Sequence, residues 1–190
     1  EHMSVERRAV MKTFGAEIVL TSEKGSMEEA IDTARAMQAD GKGVILDQFS
    51  NADNPHAHYI GTGPEIWRDT QGSMTHFVSS MGTTGTIMGT SKFLKERNPE
   101  IQIVGVQPAG GASIPGIRRW PDAYLPKIYE RDRVDTIIDV AQDDAEAMTV
   151  ALGSKEGIFA GISSGGAVAA ALQVSATIEN AVIGLWVLAH

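Results

Sequence analysis

The sequence predicts an α/β protein on a mainly parallel, twisted sheet, with helices on both faces in a three-layer αβα arrangement. Three observations lead there. Helical and strand-like patterns alternate along the chain, as β-α units require. Three strand-like runs carry apolar residues at consecutive positions, Phe77-Val78, Ile103-Val104 and Ile137-Ile138, which suits strands covered on both faces. Two glycine-rich turns, at 82–85 and 161–166, each stand between a strand-like and a helix-like run, where such sheets bind ligands.

The elements follow in order. Residues 4–13 have helical spacing, and Gly15 follows as a C-terminal stop. Residues 17–21 (EIVLT) read as a short strand. Ser26-Met27-Glu28-Glu29 fits a capping box: the serine accepts from the Glu29 amide while Glu29 reaches back. The helix it opens runs to about Asp40 and Gly41 closes it. Residues 44–49 form the next strand, and 51–55 (NADNP) are a turn. A polar helix with internal glycines covers 56–70. Strand 75–80, helix 86–97 and strand 101–107 come next. Residues 108–126 read as a loop longer than a compact domain carries without a purpose. Strand 134–140, helix 143–156, strand 158–162, helix 165–175 and strand 181–188 complete the chain.

Composition narrows the function. The 190 residues carry a formal net charge of −8, which disfavours nucleic acid and anionic membrane surfaces as partners. There is no cysteine, so disulfides, thiolate metal sites and a cysteine nucleophile are excluded within this chain. No apolar stretch approaches the roughly 20 residues of a membrane span. A cytoplasmic, soluble protein is the expectation.

Residues 79–89 read SSMGTTGTIMG. Unpaired amides and the dipole of a helix N-terminus welcome an anion, glycines 82 and 85 let the backbone approach it, and Thr83, Thr84 and Thr86 add hydroxyl donors. A nucleotide P-loop would need a lysine after its last glycine, and the dinucleotide pattern needs G-x-G-x-x-G rather than the G-x-x-G-x-x-x-G found here. By itself the stretch reads equally as a helix-capping turn or as a site for a phosphate monoester.

Residues 157–171 read GIFAGISSGGAVAAA and contain a formal G-x-S-x-G around Ser163. A hydrolase triad would then need Glu179 and the terminal His190, a poor arrangement. Small residues that let a helix pack closely on its neighbours explain the stretch as well. His56 and His58 lack a carboxylate at metal-site spacing and are read as helix N-terminal residues, with no metal site expected. Asp143, Asp144 and Glu146 suit a helix N-terminus. Trp67 and Trp186 are read as core residues.

Taken together, GTTGT and EGIFAGISSGGAVAAA resemble the pyridoxal-phosphate enzymes of the tryptophan synthase β-type fold (fold type II), and within them the cysteine synthases. DQFSNADNPHAHYIGTGPEIW, HFVSSMGTTGTIMG and SIPGIRRWPDAYLP are similar to the cysteine synthase B (O-acetylserine sulfhydrylase B) branch. The similarity runs from about Met3 to Ile183.

The resemblance implies pyridoxal 5′-phosphate as cofactor. Its phosphate would lie on Gly82, Thr83, Thr84, Gly85 and Thr86, and Ser163 would meet its pyridine nitrogen. Gln48 would lie beside the carboxylate of an amino-acid substrate, O-acetyl-L-serine, and Gly116 beside the cofactor ring. Arg118 and Arg119 would stand near the entrance, facing either solvent or an anionic sulfur donor such as thiosulfate. The implied reaction is a β-replacement: acetate leaves, sulfide or thiosulfate adds, and cysteine or S-sulfocysteine results. A homodimer is implied, with residues 1–52 as the remainder of a smaller domain and 53–190 as the larger, phosphate-binding one.

Two departures accompany the resemblance. The Schiff-base lysine stands in a Lys-Asp-Arg context in these enzymes, and none of Lys12, Lys24, Lys42, Lys92, Lys95, Lys127 or Lys155 has it. After Ile183 the chain reads GLWVLAH where the family continues differently. The expectation is therefore a fragment, inactive alone. Its rivals are a non-catalytic paralogue and a sister enzyme, cystathionine β-synthase or serine/threonine dehydratase.

Overall fold

The computed structural model describes residues 5–185. The chain divides into two compact units at the junction of Asp47 and Gln48.

The first unit holds helix α1 (Val5–Thr13) and helix α2 (Ser26–Ala39). Gly15 and Gly41, at φ 81° and 74°, terminate them in the left-handed conformation that glycine adopts without steric cost. Segments 17–21 and 44–49, expected as strands, form no ladder. Val44 and Leu46 are 86% and 83% exposed. An apolar run becomes a strand only when a neighbouring segment pairs with it as a ladder, and neither run belongs to the described sheet. The capping box also resolves differently. Ser26 sits at φ 51° within the first turn, and Ser22 takes the capping part: its hydroxyl donates to the Glu29 carboxylate and accepts from the Gly25 amide at 3.1 Å.

The second unit is built on four parallel strands: β1 (His76–Ser80), β2 (Gln102–Pro108), β3 (Thr136–Val140) and β4 (Ile183–Leu185), in the order β3-β2-β1-β4. Val78 pairs with Val104 on one side and Leu185 on the other. Both faces are covered, as the consecutive apolar residues require. Phe77 and Ile103 belong to a cluster with Met74, Ile87, Met88 and Leu94 on one face; Val78 and Val104 belong to a cluster with Val140, Ile117, Ala145 and Ala170 on the other. Trp67 packs against the first cluster.

Helices α3 (Asp53–Ala57) and α4 (Gly63–Asp69) are joined by a π-helical turn, His58–Thr62. Together they cover the single helix expected at 56–70. It starts earlier because Pro55 lies in the first turn, where a missing N–H costs nothing. Helix α5 (Gly85–Arg97) follows β1, and α6 (Gln142–Ala151) runs into a second π-helical turn, Leu152–Glu156. Helix α7 (Ile162–Ser175) begins three residues before the expected Gly165, so Ser163 lies in its first turn. The strand expected at 158–162 does not form: residues 158–161 join no ladder, with Phe159 81% exposed, and Ile162 already belongs to α7. Of the strand expected at 181–188, Ile183–Leu185 forms; Trp186 and His190 lie outside the described residues.

The strand order positions the site. The sheet grows from β1 through β2 to β3 on one side, then adds β4 on the other. Neighbouring connections diverge at the carboxyl end of β1, which opens a crevice there.

Candidate functional site

Loop 81–84 occupies that crevice. Helix α5 makes its first intrahelical bond from the Met88 amide to the Thr84 carbonyl, at 3.0 Å, so the amides of Gly85, Thr86 and Ile87 have no acceptor within the helix. Thr84 holds φ 70°, a left-handed conformation costly for a β-branched residue. It is 4% exposed, and its Oγ1 has no hydrogen-bond partner among the described residues. Strain and an orphaned buried hydroxyl at one residue mark a loop shaped for something other than its own stability.

Two peptides of the loop are pinned from outside. The Arg118 amide donates to the Met81 carbonyl at 2.8 Å, and the Trp120 indole Nε1 donates to the Gly82 carbonyl at 2.7 Å. In a trans peptide the N–H points opposite to the C=O. Fixing those carbonyls outward therefore fixes the Gly82 and Thr83 amides in the opposite direction. Trp120 is itself held edge-on by Phe49, ring centroids 5.2 Å apart.

Ser163 meets the same place. The Ser80 hydroxyl, at the end of β1, donates to the Ser163 carbonyl at 2.7 Å. Gly116 lies between the two turns at φ 86°. A Cβ built on it would stand 3.1 Å from the Ser163 Cβ, and one built on Gly82 would stand 2.9 Å from the Gly116 carbonyl oxygen. Gly82, Gly116 and Ser163 thus form a contiguous wall. Gln48 is exposed, with its carbonyl tied to Asn54.

The two arginines have different surroundings. Arg119 forms an ion pair with Asp139 at 2.5 Å and donates from Nε to the Pro108 carbonyl at 3.0 Å. Hydrogen bonds from Gln107 and Arg119 hold the Asp139 carboxyl below the usual carboxylate range. The Arg118 guanidinium lies 5.8 Å from the centre of the Trp120 ring.

The sequence reading missed two residues that touch the loop. His58 reaches Thr62 Oγ1 from Nδ1 at 2.9 Å and Thr86 Oγ1 from Nε2 at 3.2 Å. Burial lowers its pKa, which favours the neutral ring. One of its nitrogens then donates while the other accepts. Asn54 donates to Thr83 Oγ1 at 3.2 Å. The HAH triplet and the NADNP turn were visible, but nothing in their spacing pointed to a loop about 30 residues away.

A parallel α/β sheet with a glycine loop at its switch point is the architecture of cofactor-binding α/β proteins. The chain belongs to the family described as pyridoxal-phosphate dependent enzyme, whose model matches residues 1–188. It is 58% identical to cysteine synthase B of Pseudomonas aeruginosa over 183 residues, 96% of this chain and 61% of that protein. It is 54% identical to cysteine synthase B of Escherichia coli, again over 96% of this chain and 60% of that one. The crystal structure of the cysteine synthase of Entamoeba histolytica superposes with a TM-score of 0.84 at 37% identity, covering 98% of this chain and 57% of that one. That of O-ureido-L-serine synthase gives a TM-score of 0.88 at 28% identity, covering 97% and 61%. The fold is therefore that of the fold type II pyridoxal-phosphate enzymes, and the chain spans about 60% of the length of the curated relatives it matches. Among the described residues no helix is long and apolar enough to cross a membrane.

The residues present fit pyridoxal phosphate. The orphaned Thr84 hydroxyl and the first-turn amides of α5, which have no acceptor within the helix, suit phosphate oxygens. The absence of a lysine in the loop suits a monoester rather than a triphosphate.

Proposed function

We propose that the protein containing this chain is a pyridoxal-phosphate-dependent cysteine synthase of the B type. It replaces the acetoxy group of O-acetyl-L-serine by sulfur from sulfide or thiosulfate, giving cysteine or S-sulfocysteine. The observation that carries this reading is the convergence of loop 82–86, Gly116 and Ser163 at the carboxyl end of β1.

Gly82, Thr83, Thr84, Gly85 and Thr86 hold the phosphate through amides and hydroxyls. When bound, pyridoxal phosphate supplies the electron sink that lets acetate depart from Cβ. Ser163 places a hydroxyl at the pyridine nitrogen. Unlike a carboxylate it does not keep a proton there, which restrains the sink and favours β-elimination over transamination. Gly116 leaves room beside the ring, where a Cβ would press on Ser163. Gln48 orients the substrate carboxylate. Arg118 and Arg119 stand near the entrance, where they would guide an anionic sulfur donor; Arg119 is also paired with Asp139. The whole protein is proposed to be a cytoplasmic homodimer, with residues 1–52 in a smaller domain and 53–190 in the larger. The chain alone is proposed to be inactive, since none of its lysines stands in the Schiff-base context.

The test is binding followed by turnover. The chain should bind pyridoxal phosphate at least about tenfold more tightly than pyridoxal, the difference that charge-assisted hydrogen bonds to one phosphate supply. The protein carrying it should release acetate from O-acetyl-L-serine and form cysteine with sulfide or S-sulfocysteine with thiosulfate. Equal affinity for the two vitamers, or no acetate release, would overturn the reading.

A further inference from the structure

Asn54 lies outside the glycine loop, yet its carboxamide bridges two parts of the site. Nδ2 donates to the Gln48 carbonyl at 2.7 Å and to Thr83 Oγ1 at 3.2 Å. The first contact settles the orientation of the amide. A backbone carbonyl only accepts, so the atom facing Gln48 must be the nitrogen. Both protons of that nitrogen are then committed, one to Gln48 and one to Thr83. Thr83 Oγ1 must accept from Asn54.

Thr83 Oγ1 also accepts from the Gly85 amide, at 3.3 Å. A hydroxyl has two acceptor sites and one donor. With both acceptor sites filled, its proton can serve only as a donor to a third group. Gly85 is fitted to this arrangement: a Cβ there would stand 1.8 Å from Asn54 Oδ1 and 2.4 Å from its Cγ. The absence of a side chain at 85 is thus what admits the Asn54 carboxamide beside the loop.

We propose that Asn54 is a positioning residue that acts through Thr83: it fills an acceptor site of the Thr83 hydroxyl and so directs that proton to the phosphate, while tying the loop to the Gln48 turn. The inference rests on the phosphate reading of loop 82–86 and deepens it. Asn54 itself touches no ligand. Its effect must therefore vanish when the Thr83 hydroxyl is removed.

That requirement gives the test. Affinities of the chain for pyridoxal phosphate and for pyridoxal are measured in the unaltered chain, Asn54→Ala, Thr83→Val and the double variant, with thermal melts beside each. Asn54→Ala and Thr83→Val should each weaken pyridoxal phosphate by about tenfold or more, and pyridoxal by less than about twofold. The double variant should match Thr83→Val within about twofold, because the two changes remove one interaction. Multiplicative losses in the double variant would overturn the proposal, as would an equal loss for pyridoxal, which would mark Asn54 as a structural residue only. If Asn54→Ala does not fold, the carboxamide protons of Asn54 in the unaltered chain replace it. Their resonances should move on addition of pyridoxal phosphate and stay still in Thr83→Val; movement in both, or in neither, refutes the coupling. Failure of the unaltered chain to prefer pyridoxal phosphate sinks the phosphate reading itself, whereas a preference without coupling sinks only the part given to Asn54.

Discussion

Gly165→Ala tests how α7, and with it Ser163, is placed. A Cβ at 165 would stand 2.1 Å from the Ala145 carbonyl oxygen, 2.2 Å from Thr149 Oγ1 and 2.8 Å from the Thr149 amide nitrogen. The first distance is about 1.2 Å short of the roughly 3.3 Å at which carbon and oxygen touch. Two of the three atoms are backbone of α6, so no side chain can swing aside; the helices must separate. Alanine would favour the helical state by about 1 kcal/mol over glycine. Overpacking costs about 1–3 kcal/mol and here falls near the top of that range. The net loss is then about 2 kcal/mol, or a fall in Tm of about 4–8 °C for a chain of this size. Gly153→Ala is the control. It changes the same residue type to the same product, but nothing lies within 4 Å of the added Cβ, so stability should hold or rise slightly. Thermal and urea unfolding of the two variants decide the matter. If Gly165→Ala melts with Gly153→Ala, the close packing of α6 on α7 does not position Ser163, and the argument fails.

Two further outcomes follow from strain and from charge. Thr84→Gly should raise stability by about 1 kcal/mol, because glycine accepts φ 70° freely and the orphaned hydroxyl disappears, yet it should weaken pyridoxal phosphate binding; paired melts and titrations read both signs. Asp135 is opposed by burial, which raises its pKa, but the hydrogen bond from Lys95 at 2.8 Å and that from the Ile103 amide at 2.7 Å prevail, and its carboxyl sits below the usual value of 3.8. A depressed folded pKa means stability that is whole at neutral pH and is lost as pH falls below the unfolded value and through the folded one. Asp135→Asn should therefore be less stable at pH 7 and flatten the acid limb of the stability curve below about pH 4, measured by urea unfolding; an unchanged limb would refute the assignment.

Much of the architecture was legible in the residues. Strand runs apolar at consecutive positions required cover on both faces, and the two clusters around Phe77 and Val78 supply it. The strand–turn–helix setting of Gly82–Gly85, and the helix that carries Ser163, came from glycine and small-residue chemistry together with the family resemblance. The failures were of one kind. Residues 17–21, 44–49 and 158–162 have the composition of strands but no ladder, because strand pairing belongs to two segments and only one was in view. The Ser26 cap failed for a similar reason: Ser22, one turn earlier, competes for the same Glu29 carboxylate.

By itself the amino-acid order determined the layered fold and the two glycine turns, because those follow from local periodicity, helix ends and backbone freedom. The tertiary structure alone decided which groups meet: Asn54 with Thr83, His58 with Thr86, Trp120 with the Gly82 carbonyl and Ser80 with the Ser163 carbonyl. Those contacts span 28 to 83 residues of chain, and over such separations it is sheet order and helix packing, rather than spacing in the sequence, that set which hydrogen-bond donors face which acceptors.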